Sequence, residues 1–157
     1  MNRRAKFLVH LSVAVLLVSG HASAADAVFA FKAAYRDVSV DPDGVWTGDA
    51  LVSGKVSVFE YELRAGGASL IVSQIWNEDC AASTCPTRLV RFESGGRRTV
   101  LVDDMMRQVI PPNDPRFASL PKSGPQADYA QRPFRLSEDG KTLINGDFTF
   151  ELDGGKQ

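Results

Sequence analysis

Cysteine and histidine are scarce in this sequence, which contains only two of each among 157 residues. Two cysteines are too few for a four-cysteine zinc site or for a scaffold held together by several disulfides. An excess of positive charge is also lacking, because 18 lysines and arginines face 19 aspartates and glutamates. The sequence therefore excludes a nucleic-acid binder that is basic overall. Hydrophobic residues make up 44%, which is too much for a disordered chain and fits one small domain.

Residues 1–24 have the pattern of a secretory signal peptide. Three basic residues precede an apolar run from Phe7 to Val18, and Ala22-Ser23-Ala24 fits the small-x-small rule of signal peptidase. The apolar run is shorter than the ~20 residues that a membrane-spanning helix needs. We therefore expect cleavage near Ala24 and a periplasmic or secreted protein that is not an integral membrane protein.

Cleavage at that point would leave a protein without histidine, because His10 and His21 both lie in the predicted signal peptide. A Ser-His-Asp triad, a Cys-His dyad, a histidine-ligated zinc site and an imidazole pH switch would then be excluded. Gly-x-Ser-x-Gly and the glycine-rich phosphate-binding motifs are absent as well. We predict a non-enzymatic protein without cofactor or metal, with a hydrolase that uses only carboxylates as the exception.

Turn signals recur along residues 25–153 and separate short runs rich in β-branched and aromatic residues. This pattern predicts a single, mostly β domain, an antiparallel β-sandwich or open barrel with at most one or two short helices. Residues 154–157 are expected to form a flexible tail. Three hairpins are predicted, with strands at Val56–Leu63 and Ser69–Trp76, at Arg88–Glu93 and Arg98–Asp103, and at Phe134–Ser137 and Lys141–Ile144.

The distribution of apolar residues and of proline adds detail to this prediction. The run Ser69–Trp76 is apolar on both faces, which is typical of a central strand. Residues 27–37 are compatible with either a helix or a strand. Residues 111–125 contain five prolines, which predicts an irregular surface segment with one short helical turn after Asp114-Pro115. Phe148, Phe150 and Leu152 alternate with polar residues and are predicted to form the buried face of a strand. If residues 27–37 form a strand, Phe29, Phe31, Ala33 and Tyr35 share one face of it.

Cys80 and Cys85 form a matched pair, and a disulfide between them is the expected state in an exported protein. The bridge would contribute ~2 kcal/mol by restricting the unfolded chain. One hypothesis is that it only braces the end of a hairpin. The other is that it presents its loop to a partner, because a preorganised loop loses less entropy on binding. The loop residues, which are candidate binding residues, are Ala81, Ala82, Ser83 and Thr84.

Charge is distributed unevenly along the chain. Residues 25–79 hold nine acidic and four basic residues, whereas residues 86–98 hold four arginines and one glutamate. A hairpin rich in arginine could bind phospholipid headgroups, an acidic polysaccharide or an acidic protein cleft. An ordinary solvated hairpin face is the alternative. The candidate binding residues in this hairpin are Arg88, Arg91, Arg97 and Arg98.

Acidic and aromatic residues raise further possibilities. Asp41, Asp43 and Asp49 surround a glycine, but the closing glutamate of an EF-hand is missing, so a plain turn without metal is predicted. Glu78 and Asp79 are the candidate carboxylates of a hydrolase, although neighbours in a strand point to opposite faces. A small-ligand carrier is a further alternative, in which a cavity would be lined by Trp46, Phe59, Trp76, Phe92 and Phe134.

The segment from Val72 to Val102 reads as a strand, Cys80-x-x-x-x-Cys85, a second strand, a glycine turn and a third strand. In this it resembles the central part of the periplasmic inhibitors of vertebrate (c-type) lysozyme. The resemblance implies a bridged loop that enters the lysozyme cleft. The family loop is usually Cys-Lys-Pro-His-Asp-Cys, whose histidine reaches the catalytic carboxylates, whereas this loop has neither histidine nor charge. Lysozyme inhibition is thus an alternative to binding another envelope macromolecule.

Overall fold

The computed structural model describes residues 26–46, 56–65, 67–76, 80, 84–111, 113–114 and 132–152. These residues form nine strands in two antiparallel sheets that do not close, which confirms the predicted sandwich or open barrel. No helix in the described part of the chain could cross a membrane. The strands are β1 (Ala27–Val28), β2 (Ala30–Val38), β3 (Val56–Ala65), β4 (Ala68–Trp76), β5 (Thr84–Phe92), β6 (Arg98–Arg107), β7 (Arg135–Leu136), β8 (Thr142–Asn145) and β9 (Phe148–Glu151).

The larger sheet has the order β2-β3-β4-β5-β6, and the smaller sheet has the order β1-β7-β8-β9. All three predicted hairpins are confirmed as antiparallel pairs, namely β3–β4, β5–β6 and β7–β8. Gly67 and Gly140 lie in two of the connecting turns with φ of 82° and 71°. Glycine adopts this left-handed conformation without steric strain, so the turn signals in the sequence have a direct physical basis.

Residues 27–37, for which the sequence is compatible with a helix or a strand, belong to strands β1 and β2. These two strands lie in different sheets. The predicted common face of the aromatic residues in this segment is wrong. A bulge follows Phe31, so that Phe31 pairs with Tyr61 whereas Tyr35 pairs with Val58. Tyr61 and Val58 are three residues apart in one strand and point to opposite faces. Phe31 and Tyr35 therefore also point to opposite faces of the larger sheet.

Two apolar clusters lie on opposite faces of the larger sheet. The inner cluster lies between the two sheets, and the outer cluster lies under the loop that follows β2. Strand β4 contributes to both, which confirms it as a central strand. The inner cluster consists of Phe29, Phe59, Tyr61, Leu70, Val72, Trp76, Cys85, Leu89, Leu101, Met106, Val109, Ile110, Phe134, Leu136 and Leu143. The outer cluster consists of Val45, Trp46, Val56, Val58, Ile71, Ile75 and Val90.

Strand β9 departs in part from its predicted alternation. Phe150 and Leu152 pack against the inner cluster as expected. Phe148 is 47% exposed, and the guanidinium of Arg107 lies 5.0 Å from its ring centre. The prediction of a buried Phe148 is therefore wrong. β9 is an edge strand of the smaller sheet, and a cation–π contact takes the place of core packing for its first residue.

Several sequence predictions concern residues outside those the structure describes. They are the signal peptide at residues 1–24, the helical turn and the irregular segment beyond residue 114, the tail at residues 154–157, and the carboxylates of Asp49, Glu78 and Asp79.

Candidate functional site

The disulfide predicted between Cys80 and Cys85 is present, with the two Cα atoms 4.3 Å apart. Cys85 is buried in the inner cluster near the start of β5, and Cys80 packs against the same cluster. Thr84 begins β5 and is half-buried, whereas residues 81–83 lie outside the described ranges. The bridge thus ties the start of β5 to Cys80, four residues beyond the end of β4.

The structure separates the four arginines that the sequence groups into one hairpin. Arg88 lies on the outer face, where its Nε and Nη2 atoms contact Asp103 Oδ2 at 2.9 and 2.8 Å. Its guanidinium also lies 4.4 Å from the ring centre of Trp46. Arg98 is held on the same side, because its Nη1 donates a hydrogen bond to the carbonyl of Gly44. Arg88 and Arg98 are therefore both held on the outer face by contacts within the protein.

Arg97 lies at the β5–β6 turn with its side chain 74% exposed. Its Nε donates a hydrogen bond of 2.8 Å to Glu93 Oε2, and its Nη2 contacts the same oxygen. An exposed ion pair of this kind contributes ~0–1 kcal/mol to stability. Its main effect at this turn is to place a positive charge next to the carboxylate of Glu93.

Arg91 differs from the other three arginines. It pairs in register with Leu70 of β4 and Thr99 of β6, and it lines an open groove of about 470 Å³ at one end of the sandwich. Within the described ranges, no acidic side chain forms an ion pair with its guanidinium. The other residues that line the groove are Gly67, Ala68, Leu70, Glu93, Ser94, Leu136 and Gly140.

The groove and the disulfide lie at opposite ends of β5. Cys85 is near the first residue of that strand and Arg91 is near its last. Six residues of extended chain, at ~3.3 Å each, separate the two positions by roughly 20 Å. One small contact patch on a partner cannot reach both. The bridged loop and the arginine groove are therefore two separate candidate sites.

A cluster of ionisable residues that sequence analysis missed lies on the outer face. Lys32 Nζ lies 2.8 Å from Glu60 Oε2 and 2.5 Å from Asp43 Oδ2, which also accepts a hydrogen bond of 2.5 Å from the hydroxyl of Tyr35. Glu60 is 0% exposed, and its Oε1 has no hydrogen-bond partner among the described residues. The alternation Val56, Val58, Glu60 in β3 is the sequence signal that could have located this buried acid.

The pKa values of the four groups are strongly perturbed. Burial, followed by the hydrogen bond with Asp43, raises the pKa of Glu60 to about 8. The hydrogen bond from Glu60, together with those from Lys32 and Tyr35, lowers the pKa of Asp43 to about 2 against the effect of burial. Burial opposes the charge of Lys32, but its bonds to Asp43 and Glu60 raise its pKa to about 12. At neutral pH Glu60 is therefore uncharged, while Asp43 and Lys32 are ionised.

The hydrogen bond to Asp43, with a smaller contribution from burial, raises the pKa of Tyr35 to about 12. Tyr35 therefore remains a neutral hydrogen-bond donor over the whole physiological range. Its hydroxyl and the ammonium of Lys32 both hold the same carboxylate in place.

These groups fasten the segment of residues 41–46, here called the covering loop, to the sheet. Asp43 binds Lys32 and Tyr35, as described above, and the indole Nε1 of Trp46 donates to Ser73 Oγ at 2.9 Å. Within the loop, Asp41 accepts hydrogen bonds from the backbone amides of Asp43 and Trp46 at 3.0 and 2.8 Å. Asp41 is therefore a loop-capping residue, as expected for the predicted plain turn.

The register of the sheet explains why the fastening groups lie together. Glu60 pairs with Ser73, Ser73 pairs with Arg88, and Arg88 pairs with Asp103. A polar row therefore crosses four adjacent strands on the outer face, with the covering loop above it. Directly opposed residues in antiparallel strands point to the same face, which places their side chains within contact distance.

The arrangement can be compared with known site chemistry. One neutral and one ionised carboxyl group are the pair that a carboxylate-only hydrolase uses. Here, however, Glu60 is inaccessible beneath the covering loop, and Lys32 and Tyr35 already occupy Asp43. The geometry favours a role of both acids in fastening the loop. Among the described residues no group of three or more potential ligands is arranged to hold a metal ion.

The five aromatic residues considered for a ligand cavity are divided between the two clusters. Phe59, Trp76 and Phe134 belong to the inner cluster, and the rings of Phe59 and Trp76 are stacked 3.9 Å apart. Trp46 belongs to the outer cluster, against which Phe92 packs. These side chains are core residues on opposite faces of one sheet and do not line a common cavity.

Comparison with known proteins gives no match to a family model, a curated protein or a solved structure.

Proposed function

We propose that this is an exported, non-enzymatic binding protein that holds an anionic macromolecule of the cell envelope through the β5–β6 hairpin. The observation that carries the proposal is the position of Arg91. Arg91 lines an open groove, and no described acidic side chain forms an ion pair with it. An anionic group of a partner would complete this site with charge-assisted hydrogen bonds, each contributing ~1.5–3 kcal/mol.

Other features support the same proposal. The signal-peptide pattern predicts export, and the disulfide is compatible with a location outside the cytoplasm. The predicted mature chain has no histidine, which removes the commonest catalytic base. Of the four arginines named from the sequence, Arg88 and Arg98 serve contacts within the protein. The proposal therefore places binding at Arg91, with Arg97 beside it at the turn.

The test is capture of envelope components by the oxidised protein and by two matched variants. Arg91→Gln should weaken binding of the captured partner at least about tenfold, because the partner's charge loses its counter-ion. Arg132→Gln, at an exposed arginine that does not line the groove, serves as the control, and it should change affinity by less than about threefold, since exposed ion pairs contribute little. Equal retention of the partner by Arg91→Gln and the unaltered protein would contradict the proposal.

Inhibition of c-type lysozyme is the second candidate function, and one observation favours it. The disulfide closes the predicted loop at one end of the larger sheet, as the resemblance to the lysozyme inhibitors implies. A turbidity assay of cell-wall lysis with a c-type lysozyme tests it directly. Inhibition should depend on the bridge and be lost in a Cys80→Ser, Cys85→Ser double variant. Undiminished lysis at a large molar excess of the oxidised protein would contradict this candidate.

A further inference from the structure

Among the described residues that line it, the groove at Arg91 combines one cation with an apolar floor. Leu70 from the larger sheet and Leu136 from the smaller sheet are nearly buried and form the apolar part of its lining. Three connecting turns contribute its rim, through Gly67, Ser94 and Gly140. The groove thus lies where both sheets and three hairpins meet, and rigid strands position its floor.

The charge of the groove identifies the kind of anion it can hold. Among the described residues that line it, only Glu93 carries a carboxylate, and this is already paired with Arg97, whereas Arg91 has no acidic partner in the described ranges. A polyanion such as an acidic polysaccharide needs a row of cations. Here Arg88 and Arg98 are held on the opposite face of the sheet, so that no such row exists in the hairpin. The groove therefore presents one positive charge to one anionic group.

The size and lining of the groove limit the ligand further. A volume of about 470 Å³ is in the range of small-ligand sites and admits a short chain segment. A sugar acid would bring several hydroxyl groups next to Leu70 and Leu136, where they would lose hydrogen bonds to water. A terminal amino-acid residue carries a carboxylate and an apolar side chain on the same carbon atom. Its two groups match the cation and the apolar floor.

We infer that the groove binds the C-terminal carboxylate of a partner polypeptide whose last residue is apolar. The carboxylate accepts hydrogen bonds from the guanidinium of Arg91, and the last side chain packs on Leu70 and Leu136. This inference rests on the proposed function and specifies the chemistry of the partner at that same site.

The probe is the dipeptide N-acetyl-Ala-Leu with a free carboxylate, compared with the same dipeptide ending in a carboxamide. Backbone amide shifts of Gly67, Ser94 and Gly140 report binding in ¹H–¹⁵N spectra of the oxidised protein. The free acid is expected to shift these resonances at millimolar concentration, as suits a single charged contact on an apolar floor. The carboxamide, and the free acid added to Arg91→Gln, should bind at least about tenfold more weakly. Arg132→Gln is the matched control, because Arg132 is exposed and does not line the groove, and it should bind the free acid as the unaltered protein does.

Heparin, as a polyanion, provides the opposing probe. Equal shifts with the acid and the carboxamide, or Arg91-dependent binding of heparin without binding of the dipeptide, would overturn the inference. If the dipeptide fails while Arg91→Gln still abolishes capture of the envelope partner, the carboxylate inference is wrong and the proposed function stands. If neither binding nor capture depends on Arg91, both are wrong.

Discussion

Replacing Glu60 by glutamine is expected to stabilise the protein above pH 8 and to flatten its stability profile between pH 4.5 and 8. Burial and Asp43 raise the pKa of Glu60 from 4.5 to about 8, so the folded protein holds a proton that the unfolded chain releases. The stabilising contribution of the protonated acid is complete below pH 4.5 and is lost as the pH rises toward 8. The loss is on the order of 3–5 kcal/mol, at ~1.4 kcal/mol per pKa unit.

Glutamine preserves the shape of this site while removing the titration. Its carbonyl oxygen can accept from Lys32 as Glu60 Oε2 does, and its amide group takes the place of Oε1, which has no hydrogen-bond partner among the described residues. Asp43 does not obscure the measurement. Because its pKa is about 2, its stabilising contribution is constant between pH 5 and 9 and is lost only as the pH falls toward 2. Urea denaturation at intervals between pH 5 and 9 gives the free energy of unfolding of both proteins.

Glu62→Gln is the matched control, since Glu62 lies two residues further along the same strand and is half-exposed. The hydrogen bond from Ser69 lowers the pKa of Glu62, so its stabilising contribution is lost on acidification and not on raising the pH. The control should keep the slope of the unaltered protein between pH 5 and 8. Parallel profiles for Glu60→Gln and the unaltered protein would contradict the protonated state of Glu60.

Replacing Lys32 by methionine is expected to lower the free energy of unfolding by ~2–4 kcal/mol at neutral pH, because a partly buried ion pair loses one partner. The ammonium group contacts both carboxyl groups of the cluster, and its removal leaves the ionised Asp43 without its counter-ion beside the buried Glu60. The covering loop loses one of its fastenings, so the near-ultraviolet circular dichroism of Trp46 should weaken as well. Urea denaturation and that spectrum are the two measurements.

Lys141→Met is the control for the Lys32 prediction, because Lys141 is exposed and its removal should change stability by less than ~0.5 kcal/mol. In the Glu60→Gln background Lys32→Met should give a non-additive effect of at least ~0.5 kcal/mol, as residues in contact do. A loss no larger than that of Lys141→Met would show that the ammonium does not hold the loop.

The turns and the central strand could be predicted because their causes are local. Glycine at Gly67 and Gly140 permits the left-handed backbone of a tight turn, and apolar residues on both faces of β4 require cover on both sides. The faces of Phe31 and Tyr35 could not be predicted, because the bulge between them depends on pairing with β3. The pairing of Lys32 with Asp43 likewise depends on how the covering loop returns over the sheet.

The sequence alone could partly predict that the arginines lie on different faces of the sheet. Arg88 and Arg91 are three residues apart in one strand, so the two-residue period of a strand places them on opposite faces. A count of charges along the hairpin ignores this period and groups side chains that lie on opposite faces of the sheet. The ion pair that occupies Arg88 involves Asp103 of the neighbouring strand and required knowledge of the register.

The most direct test of the binding site is arginine-selective labelling with phenylglyoxal, read by mass spectrometry, of the protein alone and in complex with its captured envelope partner. Arg91 lines the open groove and Arg97 is exposed, so both should be labelled in the free protein. We expect the partner to protect Arg91 and to leave Arg97 reactive. Protection of Arg97 alone, or an Arg91 that stays fully reactive in the complex, would contradict binding at the groove.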